Sequence, residues 1–114
     1  MKFAPNHEYA KVEGNVAVVG ISEFAADELG DIADVTFPEV GRVLAQGEQF
    51  VTLESSKVVQ ELYAPVSGTV VALNEALNDE PTLINDEAET DGWIVKIEMA
   101  DPADLDKLAD EDPF

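Results

Sequence analysis

The sequence predicts a mainly β fold: two antiparallel sheets packed as a sandwich, with a short helix near residues 22–29 and a C-terminal helix. Three observations lead there. Short runs of alternating or continuous apolar residues recur between Gly, Pro and Asn turns along most of the chain. Helix-capping signals are recognised at only two places. Finally, residues 37–44 and 64–71 share a pattern of Pro, two residues, Gly, one residue and an apolar pair. That weak internal repeat suggests two similar half-units around one displayed hairpin. The 114 residues, 46% of them hydrophobic, suit a single domain with one modest core. We place it at residues 1–109, with an acidic tail at 110–114.

Residues 10–21 read as two short strands around a Gly14-Asn15 turn. A helix follows, with Ser22 as N-cap, Glu23 in its first turn and Gly30 as the left-handed residue that ends it. Phe24, Ala25 and Leu29 are expected to share its buried face. From Asp31 the period becomes two: Ile32, Asp34 and Thr36 point one way, Ala33, Val35 and Phe37 the other. Turns at 38–41 and 46–48 bracket a strand at 42–45. Strands at 50–53 and from Val58 onward flank the polar tetrad Glu54-Ser55-Ser56-Lys57. A further strand covers 69–73, a turn or helical bend 74–78, and the last strand 92–99. The C-terminal helix runs over 101–109, with Asp101 as cap, Pro102 at its first position, Asp104 complementing the dipole, and Leu105 and Leu108 as an apolar stripe.

Composition removes several function classes. Twenty-five acidic residues against six basic ones give a net charge of −19. Such a surface repels nucleic acid and anionic membranes and steers the protein toward basic surfaces. It also serves solubility or adaptation to high salt. With no cysteine, disulfides, zinc–thiolate sites and thiol catalysis are excluded, so any sulfur chemistry needs a cofactor. The N-terminus has neither the apolar stretch of a signal peptide nor an Arg-rich transit pattern, and no apolar run is long enough to cross a bilayer. The expectation is a cytoplasmic monomer.

Lys57 is the candidate functional residue. A lysine on a polar tetrad between two strands is displayed at a hairpin tip, a place for attachment. The competing reading is an ordinary exposed lysine. His7 is the only histidine; without a second His or a Cys it makes a poor transition-metal site, and packing or hydrogen bonding is expected of it. Trp93 is expected in the core rather than on a ligand. The acidic runs 78–80 and 110–112 lack the spacing of a calcium loop and read as solvated. No nucleophile–base pair or metal cluster marks an independent enzyme.

Taken together, several blocks resemble the glycine cleavage system H proteins. These are residues 3–9, 19–25, 28–31, 37–41, Glu54-Ser55-Ser56-Lys57, 63–68, 81–85 and 91–97. Each block is weak, but their order and spacing are specific. The resemblance implies a lipoyl-domain-like barrel-sandwich hybrid and lipoate in amide linkage on Lys57. Gly41, sixteen residues before Lys57, and Gly68, eleven after it, are similar to the flanking glycines of lipoyl domains generally. Biotin carriers use a related fold but place their lysine between methionines, unlike Ser56 and Val58 here.

The resemblance further implies a non-enzymatic carrier of an aminomethyl group. Its implied partners are a pyridoxal-phosphate-dependent glycine decarboxylase, a tetrahydrofolate-dependent aminomethyltransferase, a flavin-dependent dihydrolipoyl dehydrogenase, and the lipoate ligase or lipoyl transferase that modifies it. Glu8, in the family's His-Glu pair, and Glu61, where the family often carries an acid after the lysine, are the implied contacts to the loaded arm. Ser56 stands where the family often has valine, and Tyr9 where tryptophan is common. Two other readings keep the fold: an H-like lipoyl relay or regulatory carrier with different partners, and an unmodified acidic interaction module.

Overall fold

The structure is a computed structural model and is described for residues 1–110. Its strands are β1 Lys2–Phe3, β2 Glu8–Glu13, β3 Val16–Ile21, β4 Ile32–Thr36, β5 Val43–Leu44, β6 Gln49–Ser55, β7 Val59–Tyr63, β8 Gly68–Leu73 and β9 Val95–Met99. Two antiparallel sheets result, one ordered β1-β2-β3-β9-β8-β5 and one ordered β4-β6-β7. Between them lies one apolar core that includes Val19, Ile21, Ile32, Leu53, Leu62, Val70 and Ile97. The mainly β sandwich expected from the sequence is the observed architecture. The two repeat-like segments become neighbours, with Val43 opposite Thr69 and Leu44 opposite Gly68.

Helix α1, Glu23–Leu29, begins as expected: the Ser22 hydroxyl accepts the Ala25 amide at 3.1 Å, and Gly30 follows at φ +78°. Its buried face differs from expectation. Ala26 and Leu29 are buried, Ala25 is half-buried, and Phe24 is exposed, turned toward the His7 ring at 5.2 Å. Strand β4 departs from strict alternation. A bulge between Ile32 and Asp34 shifts the register, so Ile32 and Val35 face the core while Ala33 and Asp34 are exposed. An extra residue in one strand moves every later side chain to the other face.

Two one-turn helices, α2 Ala76–Asp79 and α3 Leu83–Asp86, send Leu77 and Ile84 into the core. The second has no counterpart in the sequence reading. Gly92 belongs to its exit, donating to the Glu87 carbonyl at 2.7 Å, so the last strand starts at Val95 and not at 92. Ile94 takes the core position expected of Trp93. Trp93 is half-buried, with the Lys96 ammonium 5.0 Å above its ring.

The expected C-terminal helix is present, of the 3-10 type and over Pro102–Lys107, so it ends short of 109. Asp101 caps it as expected, accepting the Ala103 amide at 3.0 Å. Asp104 lies in its first turn, as expected, and also makes a tertiary contact. It is buried and accepts the Ser67 amide at 2.8 Å and the Ser67 hydroxyl at 2.5 Å, bonds that hold its carboxyl below the usual range. Leu105 and Leu108 pack half-buried against the core. Ala109 exchanges backbone hydrogen bonds with Phe3, and Asp110 pairs with Lys2. Residues 111–114 of the expected tail lie outside the described residues.

No helix among the described residues is long and apolar enough to cross a membrane. The charge of −19 works against the compact state. Raising salt from about 0.1 M to about 1 M screens that repulsion, and a gain of about 1 kcal/mol raises the thermal midpoint by roughly 5 °C. Differential scanning fluorimetry across that range checks this; a flat or falling midpoint would reject it.

Candidate functional site

Lys57 sits at the tip of the β6–β7 hairpin, where local chemistry holds the backbone. The Ser55 hydroxyl accepts the amides of Lys57 and Val58, each at 3.1 Å, while the Ser55 amide donates to the Val58 carbonyl at 2.9 Å. A serine bonding backbone groups two and three residues ahead forms such a turn without help from the rest of the fold. The sequence shows Ser55 as one of the polar tetrad; its role as a staple emerges only from the structure. The tip is also held from outside, since the Ser56 amide donates to the Asp31 carbonyl at 3.2 Å. Lys57 is exposed, and no carboxylate among the described residues pairs with its ammonium. Its neighbours Val58 and Val59 are exposed as well.

Glu8 lies at the other end of β7. Residues 4–8 form a tight turn in which the His7 amide donates to the Ala4 carbonyl at 3.0 Å and the Ala4 amide to the Glu8 carbonyl at 2.8 Å. His7 adopts φ +73°, an uncommon conformation for a residue with a side chain. The turn drops the Glu8 side chain inward to 1% exposure. One oxygen, Oε2, accepts the Tyr63 amide at 2.9 Å; the other, Oε1, has no partner among the described residues. Burial raises the Glu8 carboxyl above its ordinary 4.5, against the opposing pull of the Tyr63 hydrogen bond and the nearby His7. Glu8 lines a cavity of about 410 Å³ together with Asn6, Gln46, Tyr63 and Lys107.

Glu61 is exposed, and the Tyr63 hydroxyl donates to its Oε2 at 3.3 Å. Tyr63 therefore bridges the two carboxylates, Glu8 at its amide and Glu61 at its phenol. That hydrogen bond to Glu61 also raises the phenol's pKa. Tyr63 is a site residue that the sequence reading misses; its position two residues beyond Glu61, on the same strand face, is the available signal. A second cavity, of about 310 Å³, opens between α1 and β7, lined by His7, Phe24, Glu28, Leu29, Gln60 and Leu62. The two cavities share Pro5 and Asn6 as a common wall. At about 3.3 Å per strand residue, Gln60 stands roughly 10 Å along β7 from Lys57 and Tyr63 roughly 20 Å. The structure thus links Glu8 of β2 and Glu61 of β7 through Tyr63, and places Lys57 beyond the far end of β7. Among the described residues no three of His, Cys, Asp or Glu are grouped to hold a metal ion.

The glycine cleavage H-protein family model matches residues 1–114. The chain is 50% identical over 110 residues to a glycine cleavage system H protein from Symbiobacterium thermophilum, covering 96% of this chain and 86% of the relative. It is 49% identical over 108 residues to one from Bacillus cytotoxicus, covering 95% and 85%. A crystal structure of a glycine cleavage system H protein from Mycobacterium marinum superposes with a TM-score of 0.82 at 32% identity, over 87% of this chain and 83% of that one. The sheets are therefore those of the lipoyl-domain-like barrel-sandwich. Sequence blocks, two-sheet architecture and a lysine displayed on a stapled hairpin converge: this chain belongs to the glycine cleavage H-protein family.

Proposed function

We propose that Lys57 Nζ is the lipoate attachment point, and that the chain works as the lipoyl carrier of glycine cleavage. The observation that carries this is the exposed, unpaired ammonium at the end of a doubly anchored tip. Amide formation erases the lysine charge, and here no ion pair is lost with it. When attached, lipoate supplies the dithiolane sulfur that this cysteine-free chain lacks, which accepts the aminomethyl group and reducing equivalents. The chain itself binds and presents; bond-breaking belongs to its partners. These are the glycine decarboxylase that loads it, the aminomethyltransferase that unloads it, the dihydrolipoyl dehydrogenase that reoxidises it, and the ligase or transferase that modifies Lys57. Reconstitution tests the pathway assignment. Lipoylated protein mixed with glycine decarboxylase is expected to support glycine–bicarbonate exchange; no exchange would favour a lipoyl relay with other partners.

Glu8 and Glu61 are the residues proposed to hold the loaded arm. Glu8 Oε1 is a buried acceptor without a donor among the described residues, and a cationic aminomethyl group would supply one. An adjacent positive charge also favours the ionised carboxylate that burial disfavours. Glu8→Gln keeps the shape and removes the charge, so release of the aminomethyl adduct should quicken by roughly tenfold, the scale of one charge-assisted hydrogen bond. An unchanged release rate would reject the role. The same substitution has a stability signature. With its folded pKa raised above 4.5, wild-type Glu8 favours folding most below that value, and the contribution fades as pH rises through the folded pKa. Glu8→Gln should remove that decline.

A further inference from the structure

We propose that Asn85 is a positioning residue for the lysine arm: it clamps the Gly30–Asp31 corner on which the hairpin tip and the Lys57 side chain rest. The inference builds on Lys57 as the attachment point.

Helix α1 ends at Leu29, and the carbonyls of a last helical turn lack intrahelical partners. Asn85 Nδ2 donates to the Gly30 carbonyl at 2.8 Å and to the Ala26 carbonyl at 3.3 Å. Its Oδ1 accepts the Ile32 amide at 2.9 Å. One side chain thus ties the end of α1 to the start of β4, using donor and acceptor at once, which a carboxamide can do and a carboxylate cannot. Asn85 is itself seated by α3, whose Ile84 is fully buried.

The clamped corner supports the tip in two ways. The Asp31 carbonyl accepts the Ser56 amide, the bond that holds the tip from outside the hairpin. A Cβ built on Gly30 would lie 3.4 Å from Lys57 Cε and 3.7 Å from Ser56 Oγ, so the lysine stem runs across the bare face of that glycine. Without the clamp, the Ser55 staple keeps the local shape of the tip, while the tip loses its fixed relation to α1. The cavity beside the hairpin is walled by α1 on one side and β7 on the other, so that relation sets how the arm addresses it.

Two readouts test this with Asn85→Ala and with Asn85→Asp, which keeps the acceptor for Ile32 and covers a failure of the first variant to fold. In unmodified protein, amide exchange at Ser56 should accelerate about tenfold more than at Ile97, which reports global opening. In lipoylation by a lipoate ligase, kcat should fall about tenfold with KM for the protein changed less than about twofold, as expected of misplaced reacting groups. Equal acceleration at both amides, or local acceleration with unchanged kcat, would overturn the proposal. If wild-type protein gains no lipoyl group, the attachment reading fails by itself, and the Ser56 exchange still decides whether Asn85 holds the tip.

Discussion

Lys57→Arg is expected to leave a folded protein that gains no mass when expressed with a lipoate ligase, where the wild type gains one lipoyl group. The fold should survive because Lys57 is exposed and the tip is held through backbone amides and Ser55, not through the lysine side chain. Modification should vanish because a guanidinium stays protonated and offers no free amine for acyl transfer. Intact mass spectrometry gives the answer directly, with circular dichroism as the folding control. Modified Lys57→Arg would place attachment on another lysine, and unmodified wild type would favour an acidic interaction module that kept the fold without the cofactor. Glycine–bicarbonate exchange should be lost in the same variant.

Gly68→Ala is expected to have the largest effect on stability. Gly68 starts β8 and lies between Leu44 of β5 and Met99 of β9. A Cβ there would overlap the Glu98 carbonyl oxygen and stand 2.8 Å from Ile97 Cγ2, with φ at +154°. The obstacle is the backbone of the neighbouring strand, which a side-chain rotation cannot relieve. Separating β8 from β9 breaks the six-stranded sheet at its interior, so a loss of about 3–5 kcal/mol is expected, or a fall in the thermal midpoint of more than about 10 °C. Gly41 is the informative control. It has φ +96°, and a Cβ added there would meet nothing within 4 Å, so Gly41→Ala encounters only backbone strain, about 1–2 kcal/mol. Thermal unfolding of both variants at fixed salt checks the contrast. Similar midpoints for the two would show that crowding at Gly68 does not set its importance.

The two glycines show what sequence spacing conveys and what it omits. Both flank Lys57 at family-like distances, and spacing alone makes both residues of tight turns. Only the packing distinguishes them, because the clash at Gly68 comes from β9, a strand distant in the chain. The β4 bulge is similar. Ile32, Asp34 and Thr36 alternate with Ala33, Val35 and Phe37 in the sequence, and nothing local says that β6 will pair with a slip at Ala33. Hydrophobicity points Phe24 inward, whereas the small Ala26 faces the core and Phe24 meets His7.

Features set by neighbours in the chain are legible from residues alone. The Ser22 and Asp101 caps, the Gly14-Asn15 hairpin and the tip that displays Lys57 each depend on groups within a few residues, and each is present. The features that would make that tip a functional site depend on distant partners. Glu8 meets the Tyr63 amide across 55 positions, Asn85 meets Gly30 across 55, and Asp104 meets Ser67 across 37. Local propensity carries no information about such meetings. They arise when two sheets close on one core and bury polar groups that must then find partners. Which lysine is displayed was therefore written in the chain, while how its tip is held, and where a buried carboxylate oxygen is left without a partner among the described residues, was decided by the packing.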